Sequence, residues 1–364
     1  SLHDALPIYK FGVLNTDQLV VIQTTKVPSL ALDKLQILTG DQVAALTTGQ
    51  IKSLTTSQFV SLLATQIPSL ETAQVRILTS DDLGAITTTQ VTALNSTQLE
   101  AMSTTQVTQL NTTALAAINE SLLGSLSTSW FTSLTQTQLP SLTTSQVVQL
   151  AATQVDALTD AQLGSLTTNQ WSRMPTDSLR GLSTTQTSSL STDIILSLTN
   201  AQVASLTSSQ VNTLTVPQAQ TLLTGQVSSL DTSQITSLSS SNLLEMSTAQ
   251  VAALTVAQVP VLTTPQISAL TVGQIAGMSN SQVAVLTATQ LTAMSSTQAS
   301  TFSNSQLDAF NETQIGALEG ADFAAMDAAK IASLTTTQLA AINSVAITSV
   351  TPDAIAGLSS MQVK

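Results

Sequence analysis

Residues 47–70 read TTGQIKSL-TTSQFVSL-LATQIPSL, three blocks of eight residues that follow one pattern. Each block carries Gln at its fourth place, an apolar residue at its fifth and Leu at its eighth. The phase continues without insertion or deletion from Leu14 to Leu358, where all 44 eighth places are apolar and 31 are Leu. Of the 44 fourth places from Gln18 to Gln362, 31 are Gln. A fixed period this short predicts a solenoid or array and not a set of independent globular domains.

The junction between blocks indicates the start of a helix. In residues 46–51, LTTGQI, a Thr precedes a Gln by three residues, which is the capping box of a helix N-terminus. Leu46 before the cap and Ile51 after the Gln have the spacing of a hydrophobic staple. Fifth and eighth places share a face of a helix but would lie on opposite faces of a strand. We therefore predict an all-α solenoid of very short capped helices, one per block. A β-solenoid with two blocks per coil is the alternative, because Thr and Val favour strands.

Each helix is expected to span one to two turns. Eight residues at about 100° each turn a helix through two full turns plus about 80°. In a continuous helix, the apolar residues of successive blocks would therefore be displaced by this angle and would wind round every face. Helices this short are not stable alone, so stability must come from stacking the fifth and eighth places in a common core. Prolines at the sixth place remove an amide that an α-helix needs and predict 3₁₀ turns in their blocks. Glycine is not fixed at a C-cap place, so we expect the bend to avoid positive φ. The sixth-place prolines are Pro28, Pro68, Pro140 and Pro260.

The composition excludes several classes of partner. The formal net charge is −12 and the nine basic residues are scattered singly, which argues against binding to nucleic acid or to anionic lipid. The chain has no Cys, which excludes disulfides and thiolate metal sites. Polar residues recur every few positions, so no stretch approaches the roughly 18 apolar residues of a membrane span and no membrane insertion is expected.

Both ends of the sequence indicate a fragment. Residues 1–8, SLHDALPI, resemble the in-frame translation of a short-read sequencing adapter, so we expect this segment and the only histidine, His3, to be an artefact. Residues 9–364 are then a single continuous octapeptide array that we expect to be truncated at both ends.

Acidic residues offer the first candidate sites. Asp81 and Asp82 are the only adjacent acidic pair and could bind a cation. The alternative is that Asp82 replaces Gln in the first turn, where a carboxylate favours a helix start, and we prefer it. Asp17 and Asp41 are interpreted in the same way.

Aromatic residues and glycosylation sequons are the next candidates. Trp171 fills a fifth place and is predicted to lie in the core, whereas Trp130 replaces the capping Gln and is expected to be exposed, where it could stack on a sugar. The sequons Asn95-Ser96-Thr97 and Asn111-Thr112-Thr113 match the N-glycosylation pattern, but such triplets arise by chance in a Thr-rich chain.

An enzyme is not expected. There is no Cys, no Gly-rich phosphate loop, and no base near a serine to activate it. Glu100 and Glu120 are isolated carboxylates. We predict no catalytic, cofactor-binding or metal-binding residues, and no cofactor.

The run LTTSQVVQL at residues 142–150 resembles the repeat tracts of very large bacterial surface or secreted proteins, often described as haemagglutinin, haem-utilisation or adhesion proteins. The resemblance covers residues 11–364 and supplies no binding residues. It implies an extracellular or cell-surface location and a stalk or spacer that holds an adhesive tip away from the cell. A binding module that presents rows of Ser and Thr to polysaccharide or ice, with weak carbohydrate or protein contacts, is the second hypothesis, and an intracellular repeat scaffold is the third.

Overall fold

The computed structural model describes residues 13–363, and each block from residue 15 to residue 358 contains one short helix. No strand occurs within residues 13–363. The prediction of an all-α solenoid is confirmed and the β-solenoid alternative is wrong, because the capping chemistry of each junction starts a helix. Residues 1–8, the adapter-like segment, lie outside the described residues.

The chain divides into two compact units, one ending at Leu182 and the other beginning at Ser183. The α-helices are four to six residues long. In the first unit the α-helices span Thr16–Val20, Leu32–Gln36, Gly40–Ala45, Thr48–Lys52, Thr56–Ser61, Thr72–Val75, Ser80–Ala85, Thr88–Thr92, Ser96–Ala101, Thr104–Gln109, Thr112–Ala117, Glu120–Leu123, Thr128–Thr132, Thr144–Val148, Ala152–Asp156, Asp160–Ser165, Thr168–Trp171 and Thr176–Gly181. In the second unit they span Thr184–Ser189, Thr192–Ser197, Asn200–Ser205, Ser208–Asn212, Val216–Thr221, Thr224–Ser229, Thr232–Ser237, Ser240–Glu245, Thr248–Ala252, Thr264–Ala269, Val272–Ala276, Asn280–Val283, Ala288–Thr292, Ser296–Ala299, Asn304–Asp308, Glu312–Ala317, Gly320–Ala325, Ala328–Ser333, Thr336–Ala341 and Pro352–Ala356.

The remaining blocks hold 3₁₀ helices, and proline explains most of them. Because a sixth-place proline lacks the amide that would continue an α-helix, the helix tightens to 3₁₀ in all four blocks predicted from the sequence. The fifth 3₁₀ helix has no proline. The 3₁₀ helices span Thr24–Ser29, Ile67–Ser69, Leu139–Ser141, Val259–Val261 and Ala346–Ser349.

The predicted capping box is present. Gln50 N–H donates to the Thr47 hydroxyl at 3.2 Å, and Thr47 N–H donates to Gln50 Oε1 at 2.8 Å. Two of the amide donors at the helix start are thereby satisfied. Where the first place has no hydroxyl, as at Ala151, only the second bond remains, from Ala151 N–H to Gln154 Oε1 at 2.8 Å.

Two extended residues separate successive helices. Leu46 ends one helix with φ −60° and ψ 133°, and Thr47 caps the next with φ −67° and ψ 155°. No residue within 13–363 has a positive φ. The bend is therefore made by ordinary extended backbone, as the scattered glycines predicted.

The fifth and eighth places form the core of each unit, as predicted. Leu142, Val147 and Leu150 expose 3%, 0% and 3% of their surface. Fully burying an aliphatic side chain contributes roughly 1.5–3 kcal/mol, so two such residues per block offset much of the ordering cost of a helix too short to form alone.

The blocks wind into coils of between three and four blocks. Within each unit, most helices pack on the helix three blocks further along, as Ala152–Asp156 does on Thr176–Gly181 and Asn200–Ser205 on Thr224–Ser229. Side-chain hydrogen bonds join residues 28 and 31 positions apart. One coil therefore takes about 28 residues, so the nearest neighbours of a block in space are not its neighbours in sequence.

Candidate functional site

The most regular polar feature of the molecule is a buried ladder of fourth-place glutamines. Gln170 exposes only 2% of its surface. Its Oε1 accepts from Thr167 N–H at 2.8 Å, and its Nε2 donates to the carbonyls of Leu139 and Leu142 at 2.9 and 2.8 Å. One amide thus caps its own helix and satisfies carbonyls at the end of a helix four blocks earlier. The same bonds recur in both units, for example at Gln98 in the first and at Gln266 in the second.

The ladder explains why 31 of the 44 fourth places are Gln and none is Glu. A capping box accepts either residue, because only the side-chain oxygen is used. The bond to the preceding coil needs an N–H donor, which a carboxylate lacks. The absence of Glu from all 44 fourth places is therefore the sequence signal of this second contact. The capping box alone does not predict this preference for Gln over Glu.

Three exceptions at the fourth place use other donors. The Ser178 hydroxyl donates to the Leu150 carbonyl at 3.0 Å, and Asn242 Nδ2 donates to the Leu214 carbonyl at 2.9 Å. Lys330 Nζ donates to the Ser300 carbonyl. These three residues differ in size and charge but share an N–H or O–H group, whereas Asp82, Ala114 and Ile194 occupy fourth places without a side-chain donor.

The two carboxylates of the Asp81–Asp82 pair lie in different environments. Asp81 is exposed, whereas Asp82 is buried at a fourth place. Asp82 Oδ2 accepts from the backbone N–H and the hydroxyl of Thr79 at 3.1 and 2.7 Å, so the interpretation of Asp82 as a cap is confirmed. Asp17 and Asp41 likewise lie in the first turn of their helices.

Replacing Asp82 with Gln should stabilise the first unit. Asp82 Oδ1 is buried without a hydrogen-bond partner, in the position from which Gln would donate to the carbonyls of Ile51 and Leu54. Removing an unsatisfied buried acceptor and adding these donors should raise the free energy of unfolding by about 1–3 kcal/mol. Urea unfolding followed by circular dichroism measures this change, with Asp81→Asn as the exposed control. Equal stability of Asp82→Gln and the parent would contradict the ladder.

Asp322 provides a pH-dependent test of the same position. It is buried at a fourth place, and burial raises the pKa of its carboxyl above the ordinary value of 3.8. Because the folded-state pKa exceeds the unfolded one, the protonated carboxyl favours folding. This contribution is present below pH 3.8 and is lost as the pH rises through the folded-state pKa.

Asp322→Asn should therefore be more stable than the parent at pH 7, by about 1 kcal/mol. The advantage should shrink as the pH is lowered below 3.8, where the parent carboxyl is protonated. Thermal unfolding at both pH values measures the difference, and the exposed Asp308→Asn serves as the control. An advantage that does not change with pH would contradict the role of burial.

The two tryptophans are both buried. Trp171 exposes 0% of its surface, which confirms its assignment to the core, but Trp130 exposes only 3%, so the prediction that it is exposed is wrong. The fourth place faces the preceding coil, and the Trp130 indole fills the space of the usual Gln. It packs edge-on against the Phe131 ring, with 5.4 Å between the two ring centroids. Trp130 has no side-chain oxygen to accept from the N–H of the cap residue Ser127, and this N–H donates to the Glu100 carboxylate instead.

The sequon asparagines act as helix caps. Asn95 Oδ1 accepts from Gln98 N–H at 2.9 Å. Asn111 Oδ1 accepts from Ala114 N–H at 2.8 Å, while its Nδ2 donates to the carbonyls of Gly84 and Ile86 at 3.1 and 3.0 Å. The nitrogen that would carry a glycan on Asn111 is thus engaged in the fold. Glu120 lies in the first turn of its own helix.

Two surface grooves lie among polar residues, one in each unit. One, of about 490 Å³ in the second unit, is lined by Asp308, Glu312 and Thr337 among others. The other, of about 440 Å³ in the first unit, includes Asp41 and Glu71. Both are open to solvent and polar. Among the described residues, no three His, Cys, Asp or Glu side chains converge to hold a metal ion.

The helices of residues 13–363 include none with the length and apolar character needed to span a bilayer.

The fold and its ladder define the chain as an all-α solenoid of octapeptide helices. A family model described as the ALTTAQ repeat matches residues 75–112 and 240–272, one stretch in each unit. No curated protein matches the chain.

Proposed function

We propose that the chain is a spacer segment of a large bacterial cell-surface or secreted protein and that it has no enzymatic activity. The observation that carries this proposal is the self-sufficiency of the blocks. In most blocks the cap is satisfied within the block itself, and the ladder and the core are satisfied by other blocks of the same kind. A module built in this way can be repeated to any length, which is what a spacer requires.

The surface supports the same proposal. The second and third places are mostly Thr, Ser or Ala, which the preferences of a helix start explain, whereas the sixth place carries residues as different as Lys52, Val60 and Glu100. A binding face would need one uniform row, whereas a spacer places no such demand on its surface. Several hydroxyls are also committed to the fold, as Ser229 Oγ is to the Gln226 carbonyl at 2.7 Å.

The surface or secreted location and the adhesin-like context derive from the resemblance of the repeat. In the bacterium that carries the gene, protease added to intact cells should cleave the chain while a cytosolic marker survives. Cleavage that requires lysis would favour the intracellular scaffold.

A fusion experiment tests the spacer directly. The chain is inserted between a cell-surface anchor and a small binding domain, and a second fusion lacks residues 215–246, four whole blocks. Both fusions should bind soluble ligand equally, but the shorter one should bind less to ligand immobilised beneath a polymer layer.

Carbohydrate binding by rows of Ser and Thr is the second candidate, favoured by the two polar grooves. The isolated chain is applied to a glycan array and to ice crystals. Binding that is lost on mutation of Thr335 and Thr337, which face the groove of the second unit, would replace the spacer proposal with the binding module.

A further inference from the structure

Asp82 uses only one of its two carboxylate oxygens in the fold. Its side chain lies at a fourth place and the residue exposes 3% of its surface. Oδ2 takes the role of a glutamine Oε1 and accepts from the N–H of the cap residue Thr79 at 3.1 Å. Oδ1 is buried without a hydrogen-bond partner, and Asp82 forms no ion pair within residues 13–363. A buried carboxylate oxygen in this situation carries negative charge that the described chain does not offset, which is unfavourable.

The next block shows what the free oxygen of this carboxylate faces. Gln90 Nε2 donates to the carbonyls of Phe59 and Leu62, which lie 31 and 28 positions earlier, at 3.0 Å each. The same separations place the carbonyls of Ile51 and Leu54 opposite the free oxygen. Within residues 13–363, no side chain donates to either of these carbonyls. The site therefore consists of oxygen atoms that all lack a positive partner.

Lys330 shows that the carbonyls of a preceding coil hold a positive charge. It occupies a fourth place in the second unit, and its ammonium donates to the Ser300 carbonyl 30 positions earlier. The position suits a cation because carbonyl oxygens at the C-terminal end of a helix carry partial negative charge. The carbonyls opposite Asp82 lie at such an end, that of the helix Thr48–Lys52. Here the chain supplies an anion in place of the ammonium, and the side chain of Lys52 is exposed to solvent.

We propose that Asp82 binds a Na⁺ ion together with carbonyls of the preceding coil. The ligands are Asp82 Oδ1 and the backbone carbonyls of Ile51, Lys52 and Leu54. All four are oxygens, which hard cations prefer, and carbonyls at helix ends coordinate Na⁺ in other proteins. One carboxylate balances one positive charge, whereas a divalent ion would leave a net charge buried.

The length of the Asp side chain agrees with a bridging ion. Asp is shorter than Gln by one C–C bond, about 1.5 Å. The gap between Asp82 Oδ1 and the carbonyls is therefore wider than the hydrogen bonds that a glutamine makes at this place. Two cation–oxygen bonds meeting at the ion span such a gap. The proposal does not depend on whether the segment acts as a spacer.

The effect of Na⁺ on folding tests the proposal. An ion that binds only the folded chain lowers the unfolding constant by the factor 1 + [Na⁺]/Kd. Urea unfolding of the full chain is followed by circular dichroism in about 1 M NaCl and in about 1 M choline chloride, and each stability is compared with that of Asp82→Gln. Relative to this variant, the unfolding constant of the parent should be about tenfold lower in NaCl than in choline chloride. The advantage predicted for Asp82→Gln applies without Na⁺, so NaCl should narrow it.

Two further variants locate the ion. Asp82→Asn keeps the shape of the side chain but removes its charge, and Asn242 shows that Asn at a fourth place donates to a carbonyl of the preceding coil at 2.9 Å. This variant should lose the response to Na⁺. Asp81→Asn removes the exposed neighbouring carboxylate and should keep it. Sodium NMR gives a readout that does not depend on unfolding, because the parent should broaden the signal more than Asp82→Asn does.

Three results would overturn the proposal. The first is a stability difference between the parent and Asp82→Gln that is the same in both salts. The second is a response to Na⁺ that survives in Asp82→Asn or is lost in Asp81→Asn, because either result places the ion elsewhere. The third is stabilisation of the parent over Asp82→Gln by CaCl₂ but not by NaCl, which shows that the site is not one for Na⁺.

Discussion

Gln226→Glu should lower the free energy of unfolding of the second unit by about 3–5 kcal/mol. Gln226 exposes 0% of its surface, and its Nε2 donates to the carbonyls of Ile195 and Leu198 at 3.1 and 2.7 Å. A glutamate would still accept from Leu223 N–H, so the cap would survive. Its second oxygen would face two carbonyl oxygens in a buried site, where an uncompensated charge is strongly unfavourable.

The damage should remain local. In a solenoid each block is stabilised mainly by adjacent coils, so amide hydrogen exchange should rise in the block of Gln226 and in the coil that holds Ile195 and Leu198. Mass spectrometry of peptic peptides resolves these regions from the rest of the unit. A uniform rise along the second unit would indicate global unfolding and contradict the array.

Two further variants separate the causes. Gln149→Glu makes the same chemical change at an exposed seventh place and should alter stability by no more than about 0.5 kcal/mol. Gln226→Met removes the donor without adding a charge and should cost less than Gln226→Glu. If Gln226→Glu is as stable as Gln149→Glu, the ladder contributes little to the fold.

The sequence predicts the features that depend on neighbouring residues. The capping box at Thr47 and Gln50, the core assignment of Leu150, and the 3₁₀ turn at Pro140 all arise from interactions within a few positions, and all are confirmed. Each depends on residues within one eight-residue block or at its junction, and therefore recurs wherever those residues recur.

The features that the sequence did not predict depend on distant blocks. The number of blocks per coil follows from the φ and ψ angles of the two link residues, summed over several blocks, and small changes in these angles alter it. The bonds from the glutamine Nε2 to backbone carbonyls and the burial of Trp130 both follow from contact with the block that lies four blocks earlier in the chain. A fourth-place residue that served only as a cap would lie at the surface, which is why the prediction for Trp130 was wrong.

Deletions should show that the phase of the eight-residue blocks, and not the length of a coil, determines folding. Removing residues 215–246 takes out four whole blocks and joins Leu214 to Ser247, an eighth place to a first place. The junction keeps its cap, and every later glutamine still faces fifth-place and eighth-place carbonyls. We expect the helical circular dichroism per residue to be unchanged and Tm to shift by no more than about 4 °C.

Removing residues 215–242 deletes 28 residues, which is the separation of the shorter ladder bond, and joins Leu214 to Leu243. This deletion preserves the residue count of a coil but places an eighth place directly before a fifth place, with no cap between them. Gln250 would then meet the carbonyls of Ser191 and Ile194, a first and a fourth place, and the glutamines of the next blocks would be displaced in the same way. Several blocks should lose their helical signal, and Tm should fall well below that of the 32-residue deletion. If the 28-residue deletion is the more stable of the two, the length of a coil determines folding more than the phase of the eight-residue blocks does, and the interpretation of the fold in terms of these blocks is wrong.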